Sequence, residues 1–443
     1  MGIWDWLRGR LATVTATPVG RAGDGLARLS AGGELDKPWG ELQAELRDAL
    51  EAWRRNPLAR RIIALTTAYV VGDGITLTSE VPALDRFLQA FLSHEQNRID
   101  LRLAGWCDEL ARSGELFLAL HTNPVDGMSY VRTLPASRID AVSWTPGDYE
   151  RELSYHESVG PDDPDFASGG RTWLSPAHPE AEIGNDAGAV ALRPWVLHFA
   201  VNRPAGCVRG ESDLAPMLPW LRRYSRWLED RVRLNAAVRA FLWIVKVPGG
   251  LVGAKQEQYR RPPEAGSVIV TENGREEWTA VAPNLHAADA AADGRAIRWM
   301  IASGGPGIGL TDLGEAETSN LATASAMMEQ RQRFMRARQG YFAYVLASLA
   351  ITAYNRAVGL GKVRGKPQEL SAVRVGLPDI NPADNSALGQ ASADVARALT
   401  LLQALGVRGD AFKSLALRLV TAFAGERLGE GEIGAIVRES DGF

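Results

Sequence analysis

The sequence predicts an α+β fold that is predominantly α-helical. Three observations predict it: long segments with apolar residues at helical spacing, a group of short strand-like runs between residues 115 and 201, and a composition of 46% hydrophobic and 23% charged residues. A chain of 443 residues can also bury a large hydrophobic core. Disordered and collagen-like proteins are therefore excluded.

The first helices are marked by their apolar spacing and by their ends. Residues 1–36 show no clear periodicity and are interpreted as an N-terminal arm. A helix is predicted at 37–55, and a second one runs from Asn56-Pro57 to about Val71, where Gly72-Asp73-Gly74 ends it. Two more helices are predicted at 82–93 and 99–113.

The next section predicts a β-rich subdomain, because short apolar runs alternate with clusters of Pro, Gly and Asp. The predicted strands lie at 115–121, 130–133, 139–143, 152–155 and 195–199. The stretch 161–189 is interpreted as a long, exposed polar loop.

The third section predicts two helices that flank a hairpin. The first helix spans 213–240, with a start that Pro216 and Pro219 leave uncertain. Strands are predicted at 241–247, 267–271 and 277–281, the last after the turn signal Asn273-Gly274. A helix at 286–303 leads to the glycine-rich loop 304–314.

A very long helix, residues 315–358, is predicted next. Its second half is apolar nearly all round and must be enclosed, either by the rest of the chain or by neighbouring subunits. A strand at 372–375 and helices at 384–405 and 410–424 complete the predicted elements.

Charge and cysteine content narrow the function. The chain has 49 Lys and Arg and 53 Asp and Glu, so its net charge is −4. This charge is not typical of a protein that binds DNA phosphates tightly, although it is compatible with weak or transient DNA contact. Cys107 and Cys207 are too few for a disulfide framework or a Cys-based zinc site. No signal peptide is evident, and the most apolar run, 341–354, is too short to span a bilayer. We therefore expect a soluble intracellular protein with no membrane contact.

Motifs of enzymes are incomplete in this sequence. His94-Glu95 begins a zinc-protease motif, but Arg98 stands where the second histidine is needed. Gly361-Lys362 and Gly365-Lys366 lack the hydroxyl residue of a nucleotide-binding loop. The glycines of 305–309 follow a helix rather than a strand, and Asp312 would repel phosphate. We expect no catalytic residue, no metal and no cofactor.

Four stretches, in this order, carry a resemblance to a known family. They are Asn56-Pro-Leu-Ala-Arg-Arg-Ile-Ile with Val71-Gly-Asp-Gly-Ile-Thr; Gly114-Glu-Leu-Phe-Leu-Ala with Leu134-Pro-Ala-Ser-Arg-Ile-Asp; Gly210-Glu-Ser-Asp-Leu-Ala-Pro-Met-Leu-Pro; and Ile301-Ala-Ser-Gly-Gly-Pro-Gly-Ile-Gly-Leu with Glu315-Ala-Glu-Thr-Ser-Asn-Leu-Ala-Thr-Ala. In order and spacing they resemble a portal protein of tailed bacteriophages, the head-to-tail connector ring at one capsid vertex. The chain departs from the family at 304–309, where one glycine and a proline are more usual.

The resemblance implies a division of the chain. The implied regions are an N-terminal arm at 1–36, a wing at 37–212, stem helices at 213–240 and 286–303, a clip at 241–285, a tunnel loop at 304–318, a long wing helix with its following strand at 319–383, and a crown with the C-terminal tail at 384–443.

The resemblance also implies a role and partners. The chain would form a dodecameric ring that conducts double-stranded DNA during genome packaging and ejection, with non-specific DNA contact in the channel. Expected partners are the terminase large subunit, the major capsid protein or scaffold, and a head-tail adaptor. The ring would lie in the virion, after assembly in the host cytoplasm. Two alternatives remain: a hydrolase or nucleotide-dependent enzyme with a divergent active site, and another ring-shaped DNA clamp or capsid protein.

The implied tunnel loop is acidic. Its candidate residues are Gly304, Gly305, Gly307, Gly309, Asp312, Glu315 and Glu317, and no Lys or Arg occurs from 304 to 330. One hypothesis is an acidic collar that centres DNA by repulsion while the glycines let the loop move. The alternative is that the acids only cap the long helix.

Basic residues mark the implied stem and clip. The stem candidates are Arg222, Arg223, Arg226, Arg231, Arg233 and Arg239, and the clip candidates are Lys255, Arg260 and Arg261. The stem arginines are predicted to form a solvated or inter-subunit face with Glu229 and Asp230 as partners in neighbouring copies, or else to contact an acidic capsid surface or the DNA backbone. The clip residues are expected to contact protein partners.

Overall fold

The structure is a computed structural model that mixes helices and strands and is predominantly helical, which confirms the predicted class. It describes residues 35–178, 193–239, 242–260, 277–281, 287–314, 321–380, 385–406, 409–423, 433–434 and 436–437. The chain divides into two compact units, Met1–Pro378 and Asp379–Phe443.

The first unit begins with four helices: α1 (Trp39–Arg55), α2 (Pro57–Val70), α3 (Pro82–Ser93) and α4 (Ile99–Ser113). Asn56 separates the first two, because its side chain accepts hydrogen bonds from the amides of Leu58 and Ala59, at 2.9 and 3.3 Å, and so caps α2. α4 ends at Gly114, whose φ of 76° is in the left-handed region. These boundaries confirm the predicted helices to within a few residues.

Six strands form one mixed sheet: β2 (Glu115–Thr122), β3 (Ser129–Leu134), β4 (Ile139–Thr145), β5 (Asp148–Glu157), β6 (Arg171–Leu174) and β7 (Trp195–Ala200). Their order in the sheet is β3-β2-β7-β6-β5-β4. A separate two-stranded sheet pairs β1 (Thr76–Thr78) with β10 (Arg374–Gly376). The start of β2 is buried on both faces, since Leu116 to Leu120 are all inaccessible to solvent. The sheet confirms the predicted β-rich subdomain.

The prediction that 161–189 is one exposed loop is wrong for part of that stretch. β6 lies between β5 and β7 in the sheet, and the buried indole of Trp173 donates a hydrogen bond to Glu157 at 2.8 Å. Four residues between glycines and a proline show too little alternation to indicate a strand. Residues 179–192 lie outside the described part of the chain.

Two helices and a strand pair form a long hairpin: α5 (Leu218–Arg239), β8 (Leu242–Lys246), the short α6 (Val252–Gln258), β9 (Glu277–Val281) and α7 (Ala287–Gly304). β8 and β9 pair antiparallel from Leu242 with Val281 to Lys246 with Glu277. α5 and α7 are called the stalk below. α5 is about 33 Å long at 1.5 Å per residue.

The stalk helices run antiparallel. Trp227 of α5 lies against Gly294 of α7, and one turn away Arg298 lies 5.9 Å from the ring of Tyr224. α5 begins only at Leu218, after a 3-10 turn over Ala215–Met217, which is consistent with the two prolines nearby. The predicted strand at 267–271 lies outside the described residues.

The long helix is α8 (Leu321–Gly359), and its apolar half is enclosed by its own unit. Phe342, Leu346 and Tyr354 belong to one core cluster with side chains of α3, α4, β2 and β7. Of the two enclosures predicted, the structure shows the rest of the chain rather than neighbouring subunits. Residues 315–320, the predicted start, lie outside the described residues.

A tight junction links the sheet to the segment that leads into the stalk. A Cβ atom on Gly114 would overlap the backbone of Glu211, and one on Gly210 would overlap the carbonyl oxygen of Gly114. The amide of Val201 donates to Gly114 and the amide of Glu211 donates to Val201, at 2.8 and 3.1 Å. Only residues without a side chain allow this approach of two backbones.

The second unit contains α9 (Asn385–Ala404) and α10 (Asp410–Phe423), which pack against each other. Their bounds confirm the two predicted C-terminal helices. No helix of the described residues is long and apolar enough to cross a membrane.

Candidate functional site

The glycine-rich turn, residues 304–314, follows α7 and is packed onto the protein. A 3-10 helix, Leu310–Leu313, occupies its second half and ends at Gly314 with a φ of 97°. Ile308 and Leu313 are buried in a core cluster that also contains Leu218 of α5. The turn is thus anchored at two side chains over its described length.

Three glycines of this turn have packing reasons. A Cβ on Gly304 would lie 3.0 Å from Cγ of Met217, one on Gly305 would lie 3.2 Å from Cβ of Ile308, and one on Gly307 would lie 3.3 Å from Cα of Arg331. Gly307 also has a φ of +65°, which other residues rarely adopt. Gly309 lies in the same turn. That the glycines let the loop move stays a prediction.

Asp312 does not present an uncompensated charge, as the acidic-collar hypothesis assumed. Its Oδ2 accepts a hydrogen bond from the amide of Gly309 at 2.8 Å and lies 2.5 Å from Nη2 of Arg331. Nε of Arg331 donates to the carbonyl oxygen of Gly307 at 3.1 Å. Arg331 follows directly after the stretch 304–330, which contains no Lys or Arg.

Asp312 caps the 3-10 helix of the turn rather than the long helix. The capping alternative assigned this residue to the long helix instead. Glu315 and Glu317 lie outside the described residues, so the collar stays a prediction for these two acids.

A second buried ion pair lies beside the glycine-rich turn and was not predicted. Nη2 of Arg338 on α8 lies 2.8 Å from Oδ1 of Asp213, and Nδ2 of Asn202 donates to the same oxygen at 2.7 Å. Burial raises the pKa of Asp213, and Arg338 only partly offsets this effect. A cavity of about 320 Å³, lined by Asp213 and Gly305 among others, separates the pair from the turn.

Two of the stem arginines form ion pairs within the chain. Arg222 lies 2.5 Å from Asp48 of α1, and Arg233 lies 3.8 Å from Glu229 and 3.7 Å from Asp230. Glu229 and Asp230 were predicted to pair with arginines of neighbouring copies. In this single chain both acids instead pair with Arg233 of the same helix. Exposed pairs of this kind contribute little to stability.

The remaining stem arginines occupy α5 without forming one cluster. Arg223 stacks over Trp220 at 4.6 Å, Arg226 is exposed in a groove beside α1, and Arg231 is half-buried. Arg239 is the last residue of α5, and its side chain is outside the description.

The clip candidates lie on and after α6, where a polar segment but no helix was predicted. Nζ of Lys255 lies 5.4 Å from the ring of Tyr259, and Nη1 of Arg260 lies 3.3 Å from Glu257. Arg261 lies outside the described residues.

A buried ionic cluster at the start of β2 is the largest feature that the sequence did not indicate. Glu115 is 0% exposed and accepts hydrogen bonds from Nε and Nη2 of Arg209, both at 2.7 Å, and from the amide of Gly210 at 3.0 Å. Arg209 also donates to the carbonyl oxygen of Ile139 at 2.7 Å. The pair joins residues 94 positions apart in the chain, so no local pattern indicates it.

His198 of β7 completes this cluster. Its ring stacks on Phe117 at 4.1 Å, its Nδ1 lies 2.9 Å from Oε2 of Glu152, and its Nε2 lies 3.4 Å from Oε1 of Glu115. Burial would lower the pKa of His198, but the two carboxylates outweigh it and raise the pKa to about 9. For Glu115 burial is likewise outweighed, mainly by Arg209, so its pKa falls to about 2.

The groups of this cluster are held by hydrogen bonds to one another. A cavity of about 620 Å³ opens beside it, but the titratable groups of Glu152, Tyr155 and His198 that line it are engaged with one another. Among the described residues no group of three or more His, Cys, Asp or Glu side chains could hold a metal ion.

Comparisons with known proteins complete the findings. No family model matches the sequence, and no curated protein matches it. Similar solved structures include the neck of a native GTA particle computed with C12 symmetry, with 14% identity over 88% of this chain and 96% of the other, at a TM-score of 0.48. The virion of a native gene transfer agent particle has 13% identity over 89% and 96%, at a TM-score of 0.49. The neck of an empty GTA particle computed with C6 symmetry has 16% identity over 91% and 97%, at a TM-score of 0.45.

All three structures come from a particle neck or virion, the setting that the resemblance to portal proteins implies. Their TM-scores are all below 0.5.

Proposed function

We propose that this chain is the subunit of a portal, a homo-oligomeric ring at one capsid vertex. The ring, a dodecamer by the resemblance, conducts double-stranded DNA during packaging and ejection and docks terminase and head-tail joining proteins. It is a structural protein rather than an enzyme. It assembles in the host cytoplasm and ends in the virion.

The observation that carries this proposal is the pair of exposed apolar faces on the stalk. Val232 of α5 is 67% exposed and Trp299 of α7 is 58% exposed, and Leu228 and Met300 beside them are exposed as well. Leu228 and Val232 continue the apolar stripe of Leu221 and Tyr224 along α5 but stay exposed, and Trp299 lies on a different face of α7 from Gly294. Apolar side chains on both helices of a hairpin suit a subunit that packs between two copies of itself. Such a head-to-tail contact forms a ring when the rotation from copy to copy closes.

Each region takes its role from this arrangement. The stalk is the stem, the β8–β9 pair with α6 is the clip, and the glycine-rich turn with residues 315–318 is the tunnel loop. The sheet, α1 to α4 and α8 form the wing, and the second unit forms the crown. Lys255, Arg260 and Arg261 of the clip contact terminase and later the adaptor, while the wing contacts the major capsid protein or scaffold.

The channel is proposed to avoid strong phosphate binding. A tight contact would hold DNA that has to pass in both directions. Glu315 and Glu317 form the acidic collar, without Asp312, whose charge Arg331 balances. The stem arginines contribute an inter-subunit face around the ring.

The mass and shape of the purified full chain test the proposal. Native mass measurement and negative-stain imaging should show a closed ring with a central hole. A monomer or dimer under all conditions would overturn the proposal. A compact monomer that retains a nucleotide would favour the alternative of a divergent enzyme.

Charge placed in the exposed apolar faces gives a sharper test. Val232→Glu or Trp299→Glu should abolish the ring and leave a folded monomer with the circular dichroism spectrum of the wild type, because neither side chain is buried in the subunit. The control is Val125→Glu at the tip of the β2–β3 hairpin, where the valine is 79% exposed. Rings of the two stalk variants that match the wild type in yield would contradict the assignment.

A further inference from the structure

The loop that follows α8 concentrates positive charge. Its sequence is Gly361-Lys-Val-Arg-Gly-Lys366, so three cations occur within six residues of a chain whose net charge is −4. Lys362, Arg364 and Lys366 are all exposed, and none has an ion-pair or hydrogen-bond partner for its side chain among the described residues. We call residues 361–366 the basic loop.

The backbone of the basic loop is held in place. The amide of Gly361 donates to Val358 at 2.8 Å, and the amide of Lys362 donates to Ala357 at 3.0 Å. Beyond the loop, Asn355 and Gln368 exchange two hydrogen bonds, both of 2.8 Å, between the side chain of the first and the backbone of the second. The cations are therefore presented on an ordered backbone, which reduces the entropy cost of binding.

The neighbouring acids do not neutralise the loop. Two acidic residues lie close to the loop. Asp126 directly precedes Gly127, on which a Cβ atom would lie 2.7 Å from Cβ of Lys362, and Glu369 follows three residues after Lys366. Neither carboxylate lies within ion-pair distance of a loop cation, since no such pair occurs among these described residues. Three positive charges without acidic partners create a local positive potential that attracts an anionic polymer.

We propose that the basic loop, which belongs to the proposed wing and not to the stem or the tunnel loop, binds the phosphate backbone of double-stranded DNA without reading its sequence. Phosphate contacts use exposed Lys and Arg side chains, and each contact gains free energy by releasing counterions. Lysine is depleted at protein–protein interfaces, which need an apolar centre, and the one aliphatic residue of the loop, Val363, is half-buried. The choice of DNA over another polyanion rests on the proposed function.

Salt-dependent binding of a 20-base-pair duplex to the full chain, followed by fluorescence anisotropy, tests the inference. Three phosphate contacts add about 2.7 to the slope of log affinity against log salt, which is about 40-fold in affinity between 50 and 200 mM salt. The variant Lys362→Gln with Arg364→Gln and Lys366→Gln should lose this part of the slope.

The control removes the same charge elsewhere. Arg47→Gln with Arg54→Gln and Arg61→Gln changes three exposed arginines of α1 and α2 that have no side-chain partner among the described residues. Equal melting temperatures of both triple variants establish that folding is intact. The control should keep the wild-type slope.

Three results would overturn the inference: no binding by the wild type at 50 mM salt, an unchanged slope in the loop variant, or an equal decrease in both variants. A loop variant that loses binding of polyglutamate but not of DNA would also overturn it, in favour of an acidic protein partner. Mass measurement on the same samples separates the two proposals. Loop-dependent DNA binding by a chain that never forms a ring refutes only the proposed function, and a ring without such binding refutes only this inference.

Discussion

Removal of the negative charge of Glu115 should destabilise the first unit far more than removal of an exposed one. Glu115→Gln preserves the shape of the side chain but leaves the guanidinium of Arg209 without its carboxylate. Both groups are buried, with two hydrogen bonds of 2.7 Å between them. The variant therefore tests whether this pair is a real buried ion pair.

The expected cost follows from the contacts. Breaking a buried ion pair by removing one partner costs about 3–5 kcal/mol. Arg209 keeps its hydrogen bond to the carbonyl of Ile139, and His198 can lose its proton when one of its two carboxylates is neutralised. Both effects reduce the cost, so we expect the lower end, about 3 kcal/mol.

Urea unfolding at pH 7, followed by tryptophan fluorescence, measures the difference. Glu80→Gln is the matched control, since Glu80 pairs with Arg374 but is 76% exposed in its side chain. Exposed pairs contribute less than about 1 kcal/mol, so the control should unfold close to the wild type. The double variant Glu115→Gln with Arg209→Met should recover part of the loss, because it removes the unpaired charge.

A cost for Glu115→Gln no larger than that of Glu80→Gln would refute the reasoning. It would mean that water reaches the pair or that the charges are compensated by other groups.

Three further outcomes are expected. The unfolding free energy should fall as the pH rises from 6.5 through about 9. The raised pKa of His198 gives a stabilising contribution that is fully present below pH 6.5 and is lost above about pH 9. Urea midpoints measured at stepped pH check this, and His198→Gln should remove the pH dependence. Gly114→Ala should lower the melting temperature much more than Gly147→Ala, since both have positive φ but only the first meets neighbouring backbone; equal losses would contradict this reading. Arg331→Met should speed amide hydrogen exchange in the glycine-rich turn by at least tenfold, or about 1.4 kcal/mol, whereas Arg336→Met at an exposed site should not. Equal exchange in both variants would show that the contacts of Arg331 with Asp312 and Gly307 do not hold the turn.

The helices were predictable because their signals are local. The bounds 82–93 and 99–113 agree with α3 and α4, since apolar residues recur at helical spacing and a proline or glycine marks the ends. β6 was missed because a four-residue strand carries too little pattern and depends on its neighbours in the sheet. Local spacing therefore predicts long elements and fails for short ones.

The site chemistry was less predictable because its pairs are distant in sequence. Asp312 was assigned a free charge, yet Arg331 on the next helix neutralises it. Glu115 and Arg209 meet only when the sheet and the segment before the stalk come together. Composition shows how many charges a chain has, whereas the fold decides which of them remain unpaired.

The contact between Gly114 and Gly210 has a mechanical consequence. Two backbones that touch without side chains, fastened by the amides of Val201 and Glu211, leave no room for a hinge at that point. Any torque on the stalk base must therefore pass into β2 and β7, the neighbouring strands that begin and end at this junction. Bending, if a load demands it, has to occur farther along the hairpin.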